Sequence, residues 1–263
     1  MPRDTMFFCP ICSQTFSEEI DKYDHVLSHQ ETRQAIEQTL DNYPKIKELV
    51  GTQGSSFFNS GRETHQFLGV VLNGNAGQYS AKLQRLELML ETYSSDMNNT
   101  TAVRTKARID FFSFFSEMEL LHGIVQTFSE FPQIPWGRNA QDVDFILPNA
   151  NLAIELKTPI GGLQPLSTYV TARDNQTQLV PRRERLKLLA IDTTFTYPDF
   201  PITSGGLDRI LTGIQIESTA WNCLMTFSTF NQKSDVFFKS DVAETDKDMI
   251  KQLKERMSIL WDD

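Results

Sequence analysis

Cysteine is scarce in this chain, with three residues in 263. A disulfide framework needs a denser and even-numbered set, so the count excludes that class of small secreted scaffold and suits a reducing compartment. Long apolar runs are missing too: none approaches the roughly 20 residues that span a bilayer, and Met1 to Phe8 lacks the apolar stretch of a signal peptide. An intracellular protein, cytoplasmic or nuclear and away from membranes, is therefore expected. Positive charge is also short, since 25 Lys and Arg stand against 34 Asp and Glu for a net charge of −9. That excludes a uniformly basic coat for a polyanion, which would need a basic face. Basic residues are concentrated locally instead: Arg182, Arg183, Arg185 and Lys187 outweigh Glu184, and Arg104, Lys106 and Arg108 form a second cluster. With 40% hydrophobic residues, the chain is long enough for one full domain and a small accessory one. Internal repeats are not visible.

What the chain does contain is most informative between Arg138 and Pro159. Two apolar runs flank Pro148-Asn149-Ala150-Asn151, a turn composition, and read as paired strands. They carry four charged side chains, Asp142, Asp144, Glu155 and Lys157. Side chains alternate along a strand, so Val143, Phe145 and Leu147 share one face while Asp142 and Asp144 share the other. On the second strand Leu152, Ile154 and Leu156 are separated in the same way from Ala153, Glu155 and Lys157. A turn closing on Asn149-Ala150 opposes Asp144 to Glu155 and Asp142 to Lys157, which gathers all four charges on one face. Opposed carboxylates sit about 5 Å apart at Cβ and repel unless a cation lies between them. Mg²⁺ meets that need, being held by one or two carboxylates with water and substrate phosphate. Lys157 is then placed to orient or deprotonate a water that attacks a phosphodiester, while the metal neutralises the developing charge. Asp142 beside Lys157 reads as a salt bridge more readily than as a second ligand.

These residues resemble the PD-(D/E)XK, or restriction-endonuclease-like, nucleases. The signature of that family is an acidic residue on one strand and Glu-x-Lys on the next. Here it stands as Val143-Asp144-Phe145-Ile146-Leu147 and Ile154-Glu155-Leu156-Lys157-Thr158. Val143 occupies the position of the family's proline. The resemblance implies that Asp144 and Glu155 hold a catalytic Mg²⁺ or Mn²⁺ and that Lys157 supports the nucleophile. It also implies a preceding helix with a metal-associated glutamate, which Thr101 to His122 would supply through Glu117, preferred here, or Glu119. The implied activity is metal-dependent endonucleolytic hydrolysis of DNA, of restriction, defence or repair type. RNA as substrate and a catalytically silent nuclease-like zinc-finger adaptor are the alternatives. Arg182, Arg183, Arg185 and Lys187 are the candidate nucleic-acid contacts.

A second motif lies at the N-terminus. Cys9 and Cys12 are followed by His25 and His29 at the spacing of a Cys-Cys-His-His zinc finger, with Phe16 as its core aromatic. A hairpin supplies two thiolates and a helix supplies two imidazoles to a tetrahedral Zn²⁺. In fingers that read DNA, helix positions −1, 3 and 6 meet the bases; here they are Glu18, Asp21 and Asp24, carboxylates that the phosphate backbone repels. Lys22 replaces the usual core leucine, so Ile20 or Tyr23 must fill the small core. The finger therefore reads as a structural module, or one that contacts a protein partner or a second subunit, with a homodimer possible.

The expected fold class is α/β. A restriction-endonuclease-like core with a mixed sheet, ordered helix, three strands, helix, strands, carries an N-terminal zinc finger and a helical connector. The expected division is residues 1–30 finger, 31–99 helical connector, 100–245 nuclease core and 246–263 C-terminal helix. Within it, Gln30 to Val50 reads as helical with a break at Pro44, and Gly51 to Gly61 as a connector. Tyr79 to Tyr93 shows Leu83, Leu86, Leu90 and Tyr93 at helical spacing. The helix from Thr101, with Phe111, Phe112, Phe114 and Phe115, is expected to lie against a sheet. Ile124 to Phe131 reads as the first strand, Gly161-Gly162 as a loop, Arg182 to Leu189 as a basic helix and Leu207 to Ile216 as another helix. Trp221 to Phe230 and Asp235 to Lys239 read as strands, and Asp246 to Trp261 as a helix burying Met249, Leu253 and Met257 or Leu260. His65 and His122 read as ordinary structural histidines, and Cys223 as a lone strand thiol.

Overall fold

The computed structural model describes residues 6–9, 11–50, 61–73, 77–97, 100–134, 143–158, 186–194, 220–228 and 233–259. The chain divides into two compact units, residues 1–115 and 116–263.

The first unit opens with a hairpin of β1 (Phe7–Phe8) and β2 (Thr15–Phe16), antiparallel with Phe7 opposite Phe16. Six helices follow: α1 (Glu19–Ser28), α2 (Gln30–Asp41), α3 (Pro44–Val50), α4 (Gly61–Leu72), α5 (Gly77–Tyr93) and α6 (Thr100–Ile109). In α2, Thr32, Ile36 and Leu40 are buried at four-residue intervals and polar residues take the other sides, the spacing of one helix face. The expected break at Pro44 is present, and its cause is visible. Proline lacks an N–H, which costs nothing in the first turn of a helix, and Pro44 opens α3. The next two amides of that turn, Lys45 and Ile46, donate at 2.7 and 2.9 Å to the buried carboxylate of Glu87 on α5. One helix thus caps another. On α5, Leu83, Leu86, Leu90 and Tyr93 are all buried, as their spacing predicts.

Helix α7 (Phe111–Phe128) carries the division between the units. The helix expected from Thr101 is broken at Asp110, whose carbonyl accepts the Phe114 amide at 3.0 Å and so starts α7 afresh. Phe111 packs with its ring 5.3 Å from Phe67 of α4. That neighbour is a helix, so at Phe111 the packing is helix on helix rather than helix on sheet. The stretch 62–78, to which periodicity assigned nothing, supplies α4 through buried Phe67, Leu68, Val70 and Val71.

The second unit holds a five-stranded mixed sheet, β3 (Phe145–Leu147), β4 (Leu152–Lys157), β5 (Leu186–Asp192), β6 (Cys223–Ser228) and β7 (Lys233–Phe238), in that spatial order. The β4–β5 and β5–β6 pairs are parallel and the outer pairs antiparallel. Helix α8 (Glu244–Ile259) buries Ile250, Leu253 and Met257. Its apolar stripe begins at Ile250 rather than Met249, which is half-buried.

Two further expectations are overturned. Residues from Ile124 do not form a strand: α7 continues to Phe128 and ends where Ser129 takes a φ of 50°. Buried Met118, Leu121 and Ile124 continue one helical stripe through Gly123, and a single glycine costs a helix only about 1 kcal/mol. What remains of a strand outside β3 is a lone bridge, Gln133 with Ile146. The basic helix expected from Arg182 to Leu189 is not formed over its described part, because Leu186 onward is β5. Leu188 to Ile191 are all buried, and a strand between two parallel neighbours needs such an unbroken apolar run. The loop expected at Gly161-Gly162 and the helix expected from Leu207 to Ile216 lie outside the described residues. No helix among the described residues is long and apolar enough to cross a membrane.

Candidate metal centres

The N-terminal hairpin is tightened at its first cysteine. The Cys9 amide donates to the Gln14 carbonyl at 2.9 Å, and the Ser13 amide donates back to the Cys9 carbonyl at 3.0 Å. Ser13 closes this turn with a φ of 61°, the left-handed region that Ser occupies at some cost. Both thiols are thereby turned toward α1, where His25 and His29 are one helical turn apart. Cys12 Sγ lies 3.1 Å from His25 Nε2, Cys9 Sγ 3.6 Å from His29 Nε2, and the two Nε2 atoms are 3.1 Å apart. All four donor atoms fall within 4.8 Å of one another. A tetrahedral zinc with the usual Zn–S and Zn–N bonds has edges of about 3.3–3.8 Å, a few tenths of an ångström from these three distances, so the set can hold such an ion. Burial alone would push the Cys9 thiol up, but the backbone amides of Cys12 and Ile11, the Cys12 side chain and the Lys22 charge hold it below its ordinary value. Thiolate is the form a metal binds. Phe16 packs 5.2 Å from the His25 ring, as the core aromatic should. Tyr23, not a leucine, is the buried residue beside Lys22, whose ammonium lies 4.6 Å from the Tyr23 ring centre and 5.8 Å from that of Phe7.

In the sheet, β3 and β4 pair Phe145 with Ile154, Ile146 with Ala153 and Leu147 with Leu152, the register expected from a turn on Asn149-Ala150. Asn151 makes the turn possible with a φ of 51°. Continuing that register by one residue sets Asp144 opposite Glu155, and the Leu156 amide donates to Asp144 Oδ2 at 2.7 Å. Lys157 Nζ lies 2.7 Å from Glu155 Oε1. Glu155 is only 5% exposed, which makes its neutralisation energetically important. The structure therefore brings Asp144, Glu155 and Lys157 together. Glu117 and Glu119 are buried on α7, and the Ser116 hydroxyl ties that helix to Asp192. By strict alternation along β5, Asp192 points to the sheet face opposite Glu155. Asp142, Arg182, Arg183 and Arg185 lie outside the described residues. Lys187 stands near the start of β5 opposite Ala153, its amide bonded to Asn222 Oδ1 at 2.9 Å.

Comparison with protein-family models, curated proteins and solved structures gives no match. Among the described residues, the Cys9-Cys12-His25-His29 set is the group of three or more such side chains able to hold a metal. It can accommodate an ion such as zinc.

Asp192, on the opposite face of the sheet from Glu155, is a buried carboxylate that sequence reasoning missed. It closes β5, fully buried, and accepts the Ser116 hydroxyl at 2.6 Å on Oδ2 and the Thr194 amide at 2.8 Å on Oδ1, with the Thr194 hydroxyl on the same oxygen. Lys157, Asp192 and Ser228 end the three parallel strands, and Asp144, preceding antiparallel β3, is at the same end. Carboxyl ends of parallel strands are where open α/β sheets receive ligands. The available signal was an aspartate terminating an apolar run before Thr193-Thr194. Cys223, by contrast, is inert: burial and then the nearby Asp246 charge push its thiol up to about 12.

Proposed function

We propose that the protein is a divalent-metal-dependent nuclease that hydrolyses phosphodiester bonds of DNA, with an N-terminal zinc finger that serves its fold. The observation carrying this reading is the convergence of Asp144, Glu155 and Lys157 at one end of the sheet, through the Leu156 amide and the Lys157–Glu155 ion pair. Asp144 and Glu155 would hold one Mg²⁺ or Mn²⁺, which when bound neutralises charge on the phosphate and makes water a better nucleophile. The Leu156 amide fixes one oxygen of Asp144 and so orients the carboxylate. Lys157, ion-paired with Glu155, would present its ammonium to the same site, where it could orient the attacking water or, once deprotonated, take its proton. Arg182, Arg183, Arg185 and Lys187 would neutralise the nucleic-acid backbone.

A silent adaptor is the second reading, and one observation favours it: Lys157 already compensates Glu155, so this part of the site is satisfied without a metal. Incubating the protein with plasmid, single-stranded DNA and RNA in Mg²⁺, Mn²⁺ or EDTA separates the readings. Cleavage of DNA with either metal and none in EDTA is expected. Cleavage of RNA alone would change the substrate, and no cleavage with either metal would favour the adaptor.

A further inference from the structure

Six large hydrophobic side chains are exposed among the described residues, and three of them, Met6 (45%), Phe8 (61%) and Ile11 (42%), fall within the first hairpin. Hydrophobic residues scattered singly need no explanation, whereas clustered ones mark a binding surface. Phe8 and Ile11 form one wall of a groove of about 440 Å³, closed by Lys22, Tyr23 and Val26 of α1, Glu31, Thr32 and Ala35 of α2, and Leu72 and Asn73 at the end of α4. Six of the ten lining side chains are apolar, and Glu31 and Lys22 both stand in the lining. The segment that supplies most of the lining is acidic: between Met6 and Asp41 there are seven carboxylates against only Lys22 and Arg33. Lys22 is spent on the rings of Phe7 and Tyr23.

We propose that this groove receives a cationic amphipathic helix from a partner protein, whose apolar side chains fill the space between the hairpin and α2 while its Lys or Arg residues meet the acidic rim. The charge decides between occupants. A nucleic acid or an anionic membrane would be repelled by the same carboxylates, and a neutral small molecule would leave them without a function. Helix-in-groove recognition joins an apolar stripe to a flanking charge pattern, and here both halves are present. Because the hairpin wall is positioned by the Cys9-Cys12-His25-His29 cluster, the groove exists only while that cluster is assembled. The inference is independent of nuclease activity.

The test is fluorescence anisotropy with the zinc-loaded full-length protein and a labelled Leu/Lys amphipathic peptide of about 18 residues, beside its Leu/Glu counterpart. Binding of the cationic peptide alone is expected, weakened about tenfold or more by Ile11→Ser, where a truncated apolar anchor loses affinity, and also by Glu31→Lys. Glu155→Gln should bind as the parent does, which keeps this result separate from any failure of the nuclease reading. Equal binding of the two peptides, or no loss in both groove variants, would overturn the proposal. So would preferential uptake by anionic vesicles, or self-association that Ile11→Ser abolishes, since each assigns the groove to another occupant.

Discussion

His122 illustrates how a side chain with no chemical task still sets a property of the molecule. Half-buried on α7, it is held below the usual histidine value first by burial and then by the positive charge of Arg256 on α8. The folded state therefore binds fewer protons than the unfolded chain between that lowered value and about 6.5, and stability rises with pH through this window and falls as the pH drops. Urea midpoints should decline as the solution is acidified below about 6.5, and His122→Gln should flatten that decline. An unchanged slope in the variant would remove the assignment. A second residue-scale test concerns Gly69, where an added Cβ would meet the Tyr23 hydroxyl at 2.9 Å. Alanine gains about 1 kcal/mol over glycine in a helix, yet crowding of this kind costs about 1–3 kcal/mol. Gly69→Ala should not stabilise the parent but should stabilise a Tyr23→Phe background by about 1 kcal/mol, as measured by denaturant melts. Stabilisation in both backgrounds would show that α1 does not rest on α4 through this contact. At this scale the sequence was readable where chemistry is tied to spacing: Cys9, Cys12, His25 and His29 converge as expected, and so do Asp144 and Glu155. Asp192 was harder to read, because its partner Ser116 is 76 residues away and is brought to it only by the fold, although Thr194 is a local partner.

Among the elements, α1 is the one whose role the structure changes most. Its Tyr23, Val26 and Leu27 are buried, and the Tyr23 ring lies 6.3 Å from that of His65 on α4. An N-terminal module this small has almost no core of its own, so a metal on its Cys and His side chains would supply folding free energy, and here its helix also shares the apolar face of the first unit. Stripping metal with a strong chelator should lower the melting temperature of the helical unit, not merely abolish the hairpin. Circular dichroism melts with and without chelator, followed by zinc readdition, check this; identical transitions would mean that α1 contributes nothing to the helices around it. Element types were legible where periodicity was unambiguous, as in α2, α5, β4 and β6. They were misread where two periods coexist: Ile124 to Phe131 is apolar enough for a strand, but Met118 and Leu121 continue into it at helical spacing. In β5, the basic residues preceding Leu186 obscured a central-strand run.

For the molecule as a whole, net charge must be reconciled with the polyanionic substrate we propose. The carboxylates of Glu18 and Asp24 are exposed on the N-terminal module, so contact with phosphate should come from the cluster at Arg182, Arg183, Arg185 and Lys187. Replacing Glu18 and Asp24 by Gln should leave the slope of log affinity against log salt for duplex DNA unchanged. Arg182→Ala with Arg183→Ala should reduce its magnitude by about 0.9 for each lost contact. The opposite pattern would make the finger the DNA anchor. The broad architecture, mixed α/β with a metal-binding N-terminus, was legible from composition and motif spacing. The path of the sheet was not, because parallel pairing of β4, β5 and β6 joins segments far apart in the chain and leaves no local signal. The measurement that bears most directly on the nuclease reading is the Mn²⁺-dependent rate of duplex cleavage by the parent, Glu155→Gln and Lys157→Ala, compared at matched thermal stability. Both variants should lose about a hundredfold or more while melting as folded proteins. Cleavage by either at the parent rate would contradict the assignment of this site.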